Sequence, residues 1–224
     1  MEKQSIKQVV YNTLKESILN RKLPPGNQLV ENTISSRLNV SRTPIRSAIN
    51  QLATEGLVEI IPNKGAYVIN PTIDEIIQAY NLRKDLEIMA IEKSINSFNQ
   101  DDFLEMETII KEEKEAIFNT DVSWYLKANQ NFHMAIAKKS GNKFLVEFIE
   151  KLIQQTSIYL ILFDIFLEES SPQPYGYKEH LEIIELLKQK DLTQLRECFH
   201  NHFDHAVNSL DVRKEYRGLD GLFK

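Results

Sequence analysis

The most constraining feature of this sequence is a pair of β-rich segments that directly follows a run of short helical patterns. The segments LVEII (57–61) and AYVIN (66–70) carry the β-branched and aromatic residues typical of strands. The four residues between them, PNKG (62–65), contain proline and glycine and suit the turn of a hairpin. We therefore predict one two-stranded hairpin, because the later part of the chain shows no strand pattern.

Three helices are predicted before this hairpin. Apolar residues recur at helical spacing over residues 6–19, and LPPG (23–26) ends that pattern because two prolines and a glycine do not continue a helix. A short second helix is predicted over about residues 31–38, and a third over about residues 41–55. The inward face of the third helix is predicted to consist of Ile45, Ala48, Ile49 and Leu52.

The start of the third helix carries two arginines on one face. Ser41 is a favoured N-cap residue, and Pro44 is tolerated in the first turn because its missing amide would have no intrahelical partner there. Arg42 and Arg46 stand four residues apart, beside a helix N-terminus whose free amides attract anions. We expect a negatively charged partner at this end of the helix.

Charge is distributed unevenly along the 224 residues. The formal net charge of the whole chain is -5, but residues 1–70 carry +4 and the remaining residues carry -9. A polyanion therefore suits the N-terminal part better than the rest of the chain.

Two further properties of the sequence limit the possible classes of protein. The chain contains no segment approaching the roughly 18 consecutive apolar residues of a membrane span, so we expect a cytoplasmic protein. The single cysteine, Cys198, has no partner for an internal disulfide or a CxxC motif, and we predict that it is a small buried hydrophobic residue.

Three helices and a wing form a winged helix-turn-helix, an arrangement in which the last helix enters the major groove of DNA. In this interpretation Arg42 and Arg46 grip guanine edges, Ser41 and Thr43 hold phosphates, and Lys64 at the wing tip reaches an adjacent groove or the backbone. For an isolated pair of arginines a solvated helix face would be the preferred interpretation. Here the surrounding pattern favours DNA binding.

Residues 8–70 resemble the winged-helix domain of the GntR family of bacterial transcription regulators. The resemblance depends on the Pro-Gly before the second helix, the SRTPIR start of the third (41–46), the L-x-x-E-G-L step into the wing (52–57) and the glycine at the wing tip. It implies DNA contacts at Ser41, Arg42, Thr43, Arg46 and Gly65, with Lys64 as a neighbouring candidate.

One position departs from this family pattern. Relatives frequently have a DNA-contacting arginine where this sequence has Asn32. We therefore expect that the reading of one base differs, or that Arg37 substitutes.

After Pro71 the chain consists of consecutive helical patterns. Residues 72–75, with the sequence TIDE, have the form of a capping box that opens a helix over about residues 73–97. The later helices are predicted over about residues 101–119 (capped by Asp101), 121–140 (capped by Asp121), 142–168, 176–190 and 192–213. The fold is thus predicted to be mainly α, with an N-terminal winged helix-turn-helix (1–71), an all-α effector-binding and dimerisation bundle (72–214) and a C-terminal tail (215–224).

Five histidines all follow residue 130. An isolated helical histidine is usually structural or exposed. Here Asn129 and His133 share one helix face at i,i+4 spacing, His180 opens the next-to-last helix and His202 lies on the last. If these helices pack antiparallel, the four side chains converge on a divalent ion, zinc first, with nickel or manganese as alternatives.

The region of about residues 73–210 resembles the FadR C-terminal domain (FCD) type of effector module. The resemblance lies in NQNFHMAIAKKSGN (129–142), in YKEHLEIIELLKQKD (177–191) and in the position of His202. Many members bind a divalent metal through an aspartate and three histidines, which implies the ligands Asn129, His133, His180 and His202. Because Asn129 brings no negative charge, the resemblance leaves open a weaker site, a different ion, or a site of three histidines alone.

Arg83 lies in an R-x-x-L-E segment like the one that begins this effector domain. The resemblance implies that Arg83 can face the cavity, where its guanidinium and the metal would clamp an organic acid. The alternative is a surface pair with Glu87 at i,i+4 spacing, and the sequence does not separate the two. Gln155 and Tyr159 on the long helix are further candidates for the pocket.

These features predict a ligand-responsive repressor or activator that binds a short palindromic operator as a homodimer and senses a small organic acid. The alternative is a metal-dependent enzyme acting on a small carboxylate, and a third interpretation is a purely structural dimerisation bundle. The sequence contains no HExxH, GxSxG, P-loop or dinucleotide fingerprint, which favours a regulator over an enzyme.

Overall fold

The computed structural model describes residues 5–20, 22–163 and 176–210. The chain divides into two compact units, with the division between Thr72 and Ile73. The predicted tail, residues 215–224, lies outside the described residues.

The N-terminal unit is a winged helix-turn-helix, as predicted. Its strands pair antiparallel, with Val58 opposite Val68 and Ile61 opposite Gly65. Its elements are α1 (Ile6–Leu19), α2 (Glu31–Leu38), α3 (Arg42–Thr54), β1 (Val58–Ile61) and β2 (Gly65–Val68).

The turn between α2 and α3 follows from two local conformations. Asn39 ends α2 in the left-handed region (φ 52°, ψ 46°), which asparagine tolerates better than most residues. Ser41 takes the extended N-cap conformation before α3, but its side chain makes no capping hydrogen bond. Ser41 thus occupies the predicted cap position without a side-chain capping bond, and it is exposed at the start of α3.

The interior of this unit confirms the predicted inward face of α3. Ile45, Ala48, Ile49 and Leu52 are all buried. They share the interior with buried residues of α1, α2 and the wing, namely Val10, Leu14, Ile18, Ile34 and Val68. Burial of one apolar stripe against these neighbours fixes α3 and leaves its opposite, polar face exposed.

The second unit is built of helices only, within the described residues, as predicted. An apolar cluster from α4, α6 and α7 forms part of its core, with Ala90, Met134 and Ile149 as members. The helices are α4 (Ile73–Ser94), α5 (Gln100–Phe118), α6 (Val122–Lys139), α7 (Lys143–Phe163), α8 (Gly176–Gln189) and α9 (Leu192–Asn208).

The structure corrects the predicted start of α5. Asn99, not Asp101, is the N-cap residue, because its side chain accepts hydrogen bonds from the amides of Asp101 and Asp102. The Asp102 carboxylate in turn accepts from the Asn99 amide, which completes a capping box. The predicted Asp121 cap of α6 is confirmed by its bond from the Trp124 amide.

The predicted helix ends are less accurate than the starts. Helix α4 ends at Ser94 instead of near 97, and α9 ends at Asn208 instead of near 213. The predicted end of α7 near residue 168 lies outside the described residues. Among the described helices, none has the length and apolar character needed to cross a membrane.

Candidate metal centre and nucleic-acid interface

Three predicted ligands meet in the interior of the helical unit. His133 of α6, His180 of α8 and His202 of α9 are buried, and each offers a nitrogen atom within 4.8 Å of those of the other two. Their ring centroids are 4.9 to 5.3 Å apart. The packing of these three helices therefore brings together residues that are far apart in the sequence.

A glutamate holds each of these imidazoles from the side of Nδ1. The hydrogen bonds join His133 to Glu87 of α4 (2.6 Å), His180 to Glu113 of α5 (2.8 Å) and His202 to Glu179 of α8 (2.7 Å). A carboxylate accepts these bonds, so Nδ1 carries the proton of the neutral imidazole and Nε2 keeps its lone pair. Such carboxylate–histidine pairs orient metal ligands and raise their basicity.

The Nε2 atoms of His133 and His180 are left without a partner. Both are buried, and no hydrogen bond to the described protein atoms satisfies them. A buried polar atom without a partner is costly and calls for an explanation such as a missing ion. An ion bound by these lone pairs would satisfy both atoms.

Burial also sets the protonation state of this group. It holds the pKa of His133 well below its ordinary value, and Arg83 acts in the same direction. Burial likewise lowers the pKa of His202, although its bond to Glu179 opposes the shift. Both histidines are therefore neutral near pH 7, which is the form that binds metals.

Glu179 holds a second histidine, which the sequence did not connect with this group. Its Oε1 atom lies 2.5 Å from Nδ1 of His205, an imidazole that is 63% exposed. Burial would raise the pKa of Glu179, but the hydrogen bonds from His202 and His205 outweigh it and lower this pKa. Neither His205 nor His200, both of which are exposed, belongs to the buried group.

Asn129, the predicted fourth ligand, lies in the interior of the helical unit. It is buried, with 5% of its surface exposed, and it lies one turn before His133 on α6. Its ligation of a metal remains a prediction.

Arg83 is buried and pairs with Glu87, and its role in effector binding remains a prediction. Its Nε donates to Glu87 at 2.7 Å, as the i,i+4 spacing predicted, but the pair is buried and not on the surface. Its Nη1 donates to Thr156 at 2.8 Å, and the guanidinium lies 5.1 Å from the ring centroid of Phe203. Nη2 is buried without a partner among the described residues.

The two weaker pocket candidates pair with each other. The Gln155 side chain donates to the Tyr159 hydroxyl at 3.0 Å, and burial raises the pKa of Tyr159. None of the hydrogen bonds shown for the described residues connects either side chain to Arg83 or to the three histidines. Their contribution to an effector pocket remains a prediction.

A separate cavity lies on α5 and α6. It has a volume of about 660 Å³, and its lining includes Met106, Met134, Glu112 and Lys138 but none of the three histidines. Lys139 and Asp102 on its wall bond to each other at 2.7 Å. The polar side chains of this cavity do not point to one common position, whereas the three histidines do. We therefore place the candidate site at the histidines.

The three glutamates and Thr156 were missed by sequence reasoning. The sequence indicates Glu87 only as a surface partner of Arg83, although its i,i+4 spacing is visible. Glu179 is adjacent to His180 in the sequence, which is a local signal for a carboxylate close to a predicted ligand. Glu113 lies in the acidic run EEKE and is indistinguishable there from a solvated residue.

In the N-terminal unit, the predicted DNA-contacting residues of α3 share one exposed end. Ser41, Arg42, Thr43 and Arg46 are all exposed. Arg46 alone of these four has an ion pair among the described residues, in which its Nε lies 2.8 Å from a Glu31 carboxylate oxygen of α2. The helix N-terminus and the two guanidinium groups make this end attractive to phosphate.

The wing tip is held in place from within the same unit. The Lys64 carbonyl accepts hydrogen bonds from the Gln28 side chain (2.9 Å) and the Tyr67 hydroxyl (3.1 Å). Gly65 has a φ of 111°, and a Cβ there would lie 3.1 Å from the Gln28 side-chain nitrogen. Lys64 itself is exposed at the tip.

A winged helix-turn-helix joined to an all-α unit with a buried histidine group defines a class of bacterial transcription regulators. The model of bacterial regulatory proteins of the gntR family matches residues 6–68, and the FCD domain model matches residues 78–205. The protein therefore belongs to the GntR family and carries an FCD effector domain.

Relatives agree with this assignment along most of the chain. The HTH-type transcriptional repressor RspR of Escherichia coli K12 is 24% identical over 213 residues, which are 95% of this chain and 92% of RspR. The HTH-type transcriptional regulator YdhC of Bacillus subtilis 168 is 29% identical over 204 residues, 89% of this chain and 88% of YdhC. These matches are to regulators and not to enzymes, so the alternative of a metal-dependent enzyme has no support.

Solved structures show the same fold. McbR/YncC of E. coli aligns with a TM-score of 0.65 at 22% identity, covering 92% of this chain and 97% of that one. Lar, which controls expression of the Listeria monocytogenes agr system, aligns with a TM-score of 0.68 at 22% identity, covering 93% and 98%.

Proposed function

We propose that this regulator binds operator DNA as a homodimer and that a small organic acid, bound in a metal-containing pocket of the helical unit, changes its DNA affinity. The observation that carries the proposal is the group of three buried histidines with an Nδ1 carboxylate behind each one. Buried nitrogen lone pairs without partners have no structural use in an apolar interior.

The donor set favours zinc. Three neutral imidazoles suit this ion, and a fourth position then remains for Asn129, water or a carboxylate. Nickel is an alternative because it also accepts imidazole ligands, whereas manganese prefers more oxygen ligands than this site offers. A bound divalent ion would supply a positive centre that attracts the carboxylate of an effector.

Arg83 would bind the same effector from the other side. Glu87 and Thr156 fix the direction of its guanidinium, and the unpartnered Nη2 remains as a donor for a carboxylate oxygen. A charge-assisted bond of this kind is stronger than one between neutral groups. The requirement for an acceptor near a cation selects acids over neutral metabolites.

In this proposal the two units have different functions. Residues 1–71 bind DNA through the exposed start of α3 and the wing tip, and residues 72–214 bind the effector and dimerise. One winged unit covers only a few base pairs, so two copies related by a two-fold axis match a palindromic operator. RspR is named a repressor, and we extend repression to this chain. We also propose that the regulator acts in the cytoplasm, where its DNA is.

The effector acts through a difference between two affinities, one for the arrangement of the dimer that binds DNA and one for the arrangement that does not. Its effect on DNA binding cannot exceed this difference. The site senses the relative placement of its helices, because Arg83 lies on α4, the three histidines lie on α6, α8 and α9, and Thr156 of α7 accepts a hydrogen bond from Arg83.

The metal is tested by elemental analysis of protein purified without chelator. We expect close to one divalent ion per chain, and His180→Ala should remove most of it. His200→Ala is the matched control, because His200 is an exposed histidine on the same helix as His202. Metal-free wild-type protein with all three histidines intact would contradict the proposed site.

The effector class is tested on the metal-loaded protein. A thermal-shift series of small mono- and dicarboxylates should contain stabilising compounds, and their neutral amides should have no effect. Stabilisation by the amides as well would contradict the role of the cationic centre. Loss of operator binding in the presence of a stabilising acid would then show that effector binding in the helical unit changes DNA binding by the N-terminal unit.

A further inference from the structure

Arg46 of the recognition helix α3 is held by a carboxylate from the neighbouring helix. Its Nε lies 2.9 and 2.8 Å from the two carboxylate oxygens of Glu31. Glu31 is the first residue of α2, so its negative charge also lies at a helix N-terminus, where it is favoured. The pair spans the two helices of the helix-turn-helix.

Stability does not explain this pair. The side chains are 64% and 31% exposed, and an ion pair at such a place contributes little to the free energy of folding. The bonds shown for Arg46 use its Nε atom only, which leaves the terminal nitrogens Nη1 and Nη2 for another acceptor. A guanidinium held at Nε and free at its outer edge is oriented for a paired contact with a base.

The second arginine at this end provides an internal comparison. Arg42 is exposed at the first position of α3, and the described residues give it no ion pair. The Arg42 side chain must lose conformational freedom when it binds, whereas Glu31 already holds the Arg46 side chain in one direction. The two arginines thus differ in how sharply they can select a base.

We infer that Glu31 is a positioning residue that sets the base preference of Arg46. This inference rests on the proposed function, in which Arg46 reads a base of the operator. By fixing Nε, Glu31 restricts the guanidinium to few directions, so that a correct base is bound without further ordering and a wrong base is left unpaired.

Glu31 has a second effect through its charge. A carboxylate at the protein–DNA surface repels phosphates of every sequence and lowers non-specific affinity. At a correct site this repulsion is offset, because Arg46 stays paired with Glu31 while its Nη1 and Nη2 atoms bind the base. Glu31 therefore widens the gap between specific and non-specific binding in two ways.

The test uses the full-length protein and a library of synthetic duplexes with a randomised central segment. Bound duplexes are selected and sequenced for wild type, Glu31→Gln, Arg46→Ala and the double variant. Glu16→Gln is the matched control, because it removes one carboxylate from an exposed position on α1 of the same unit. Circular dichroism and thermal melting of each variant confirm that the unit is folded.

Glu31→Gln should lower the preference for the correct base at a single base pair by about 3- to 10-fold. This is a part of the discrimination between bases that one bidentate contact supplies. The affinity of this variant for the unselected library should be equal to or higher than that of wild type. Arg46→Ala should lose preference at the same base pair, and adding Glu31→Gln to Arg46→Ala should change nothing further there. Glu16→Gln should keep the wild-type preferences.

Three results would overturn the inference and can be told apart from failure of the proposed function. They are an unchanged preference in Glu31→Gln, an equal loss at every position, or an additional loss in the double variant at the base pair affected by Arg46→Ala. If wild type enriches no sequence over the input library, the proposed operator binding itself is wrong.

Discussion

Glu87 accepts hydrogen bonds from both Arg83 and His133, at 2.7 and 2.6 Å, and all three side chains are buried. One carboxylate therefore connects the candidate effector-binding guanidinium to a candidate metal ligand. Burial raises the pKa of Glu87, and the charge of Arg83 opposes that shift. The arrangement makes the two halves of the proposed clamp dependent on a single residue.

Loss of Arg83 should destabilise the metal-free protein. Arg83→Met leaves the Glu87 carboxylate buried beside His133 alone, so we expect the free energy of unfolding to fall by about 3 kcal/mol. Arg196→Met is the control, because its pair with Glu92 is 52% and 37% exposed and should be worth less than about 1 kcal/mol. Urea denaturation measures both, and equal losses would contradict the assignment of a buried pair.

Restoring a carboxylate at position 129 should tighten metal binding. Asn129→Asp replaces a neutral oxygen by a charged one in a buried site, and we expect affinity to rise by about tenfold or more. Effector affinity should fall in parallel, because the added negative charge weakens attraction for a carboxylate. Competition with a chelator of known affinity measures the first effect, and calorimetry with a stabilising acid measures the second.

Asn131→Asp is the control for this experiment, since it adds the same charge at a half-buried position on the same helix. It should leave metal affinity within a few-fold of wild type. A similar increase in both variants would show that general charge, and not ligation by residue 129, is responsible.

Lys64→Ala should weaken binding to DNA of any sequence. If Lys64 at the wing tip neutralises one phosphate, its removal lowers the slope of log affinity against log salt concentration by about 0.9. Fluorescence anisotropy with an unselected duplex at several salt concentrations gives this slope. Lys114→Ala, at an exposed position of α5, should leave it unchanged, and an unchanged slope in Lys64→Ala would remove the wing tip from the interface.

Cys198 should be unreactive in the folded protein. It is buried as predicted, and burial raises its pKa to about 12. Thiolate is the reactive form, so alkylation by iodoacetamide at pH 8 should be slower than in urea-unfolded protein by about a thousandfold. Mass spectrometry of timed samples follows the reaction, and similar rates in both states would show that the thiol is accessible.

The sequence predicts the winged unit well because its signals are local. Turn residues bound each helix, the apolar stripe of α3 has helical spacing, and the turn of the hairpin contains a proline and a glycine. The convergence of His133, His180 and His202 was predicted on the condition that their helices pack antiparallel, and the resemblance to the FCD type implied the same three residues. The boundaries of α4 and α9 were less predictable because tertiary packing decides where a helix frays.

Other features of the site depend on packing that a sequence does not encode locally. The spacing of Arg83 and Glu87 is the same for a surface pair and for a buried one, and only their contact with Thr156 of α7 distinguishes the two. The hydrogen bond that His180 donates to Glu113 joins residues 67 positions apart. At α5, three neighbouring residues could each cap the helix, and the side-chain geometry selected Asn99.

The three carboxylate–histidine bonds have a consequence for synthesis of the chain. They join residues 46, 67 and 23 positions apart, and the last partner to be synthesised is His202. Contacts of such long range form late, because the intervening chain must first be ordered. If the proposed site binds a metal, capture of the ion therefore has to follow assembly of nearly the whole helical unit, because a chain stalled before α9 lacks one of the three histidines.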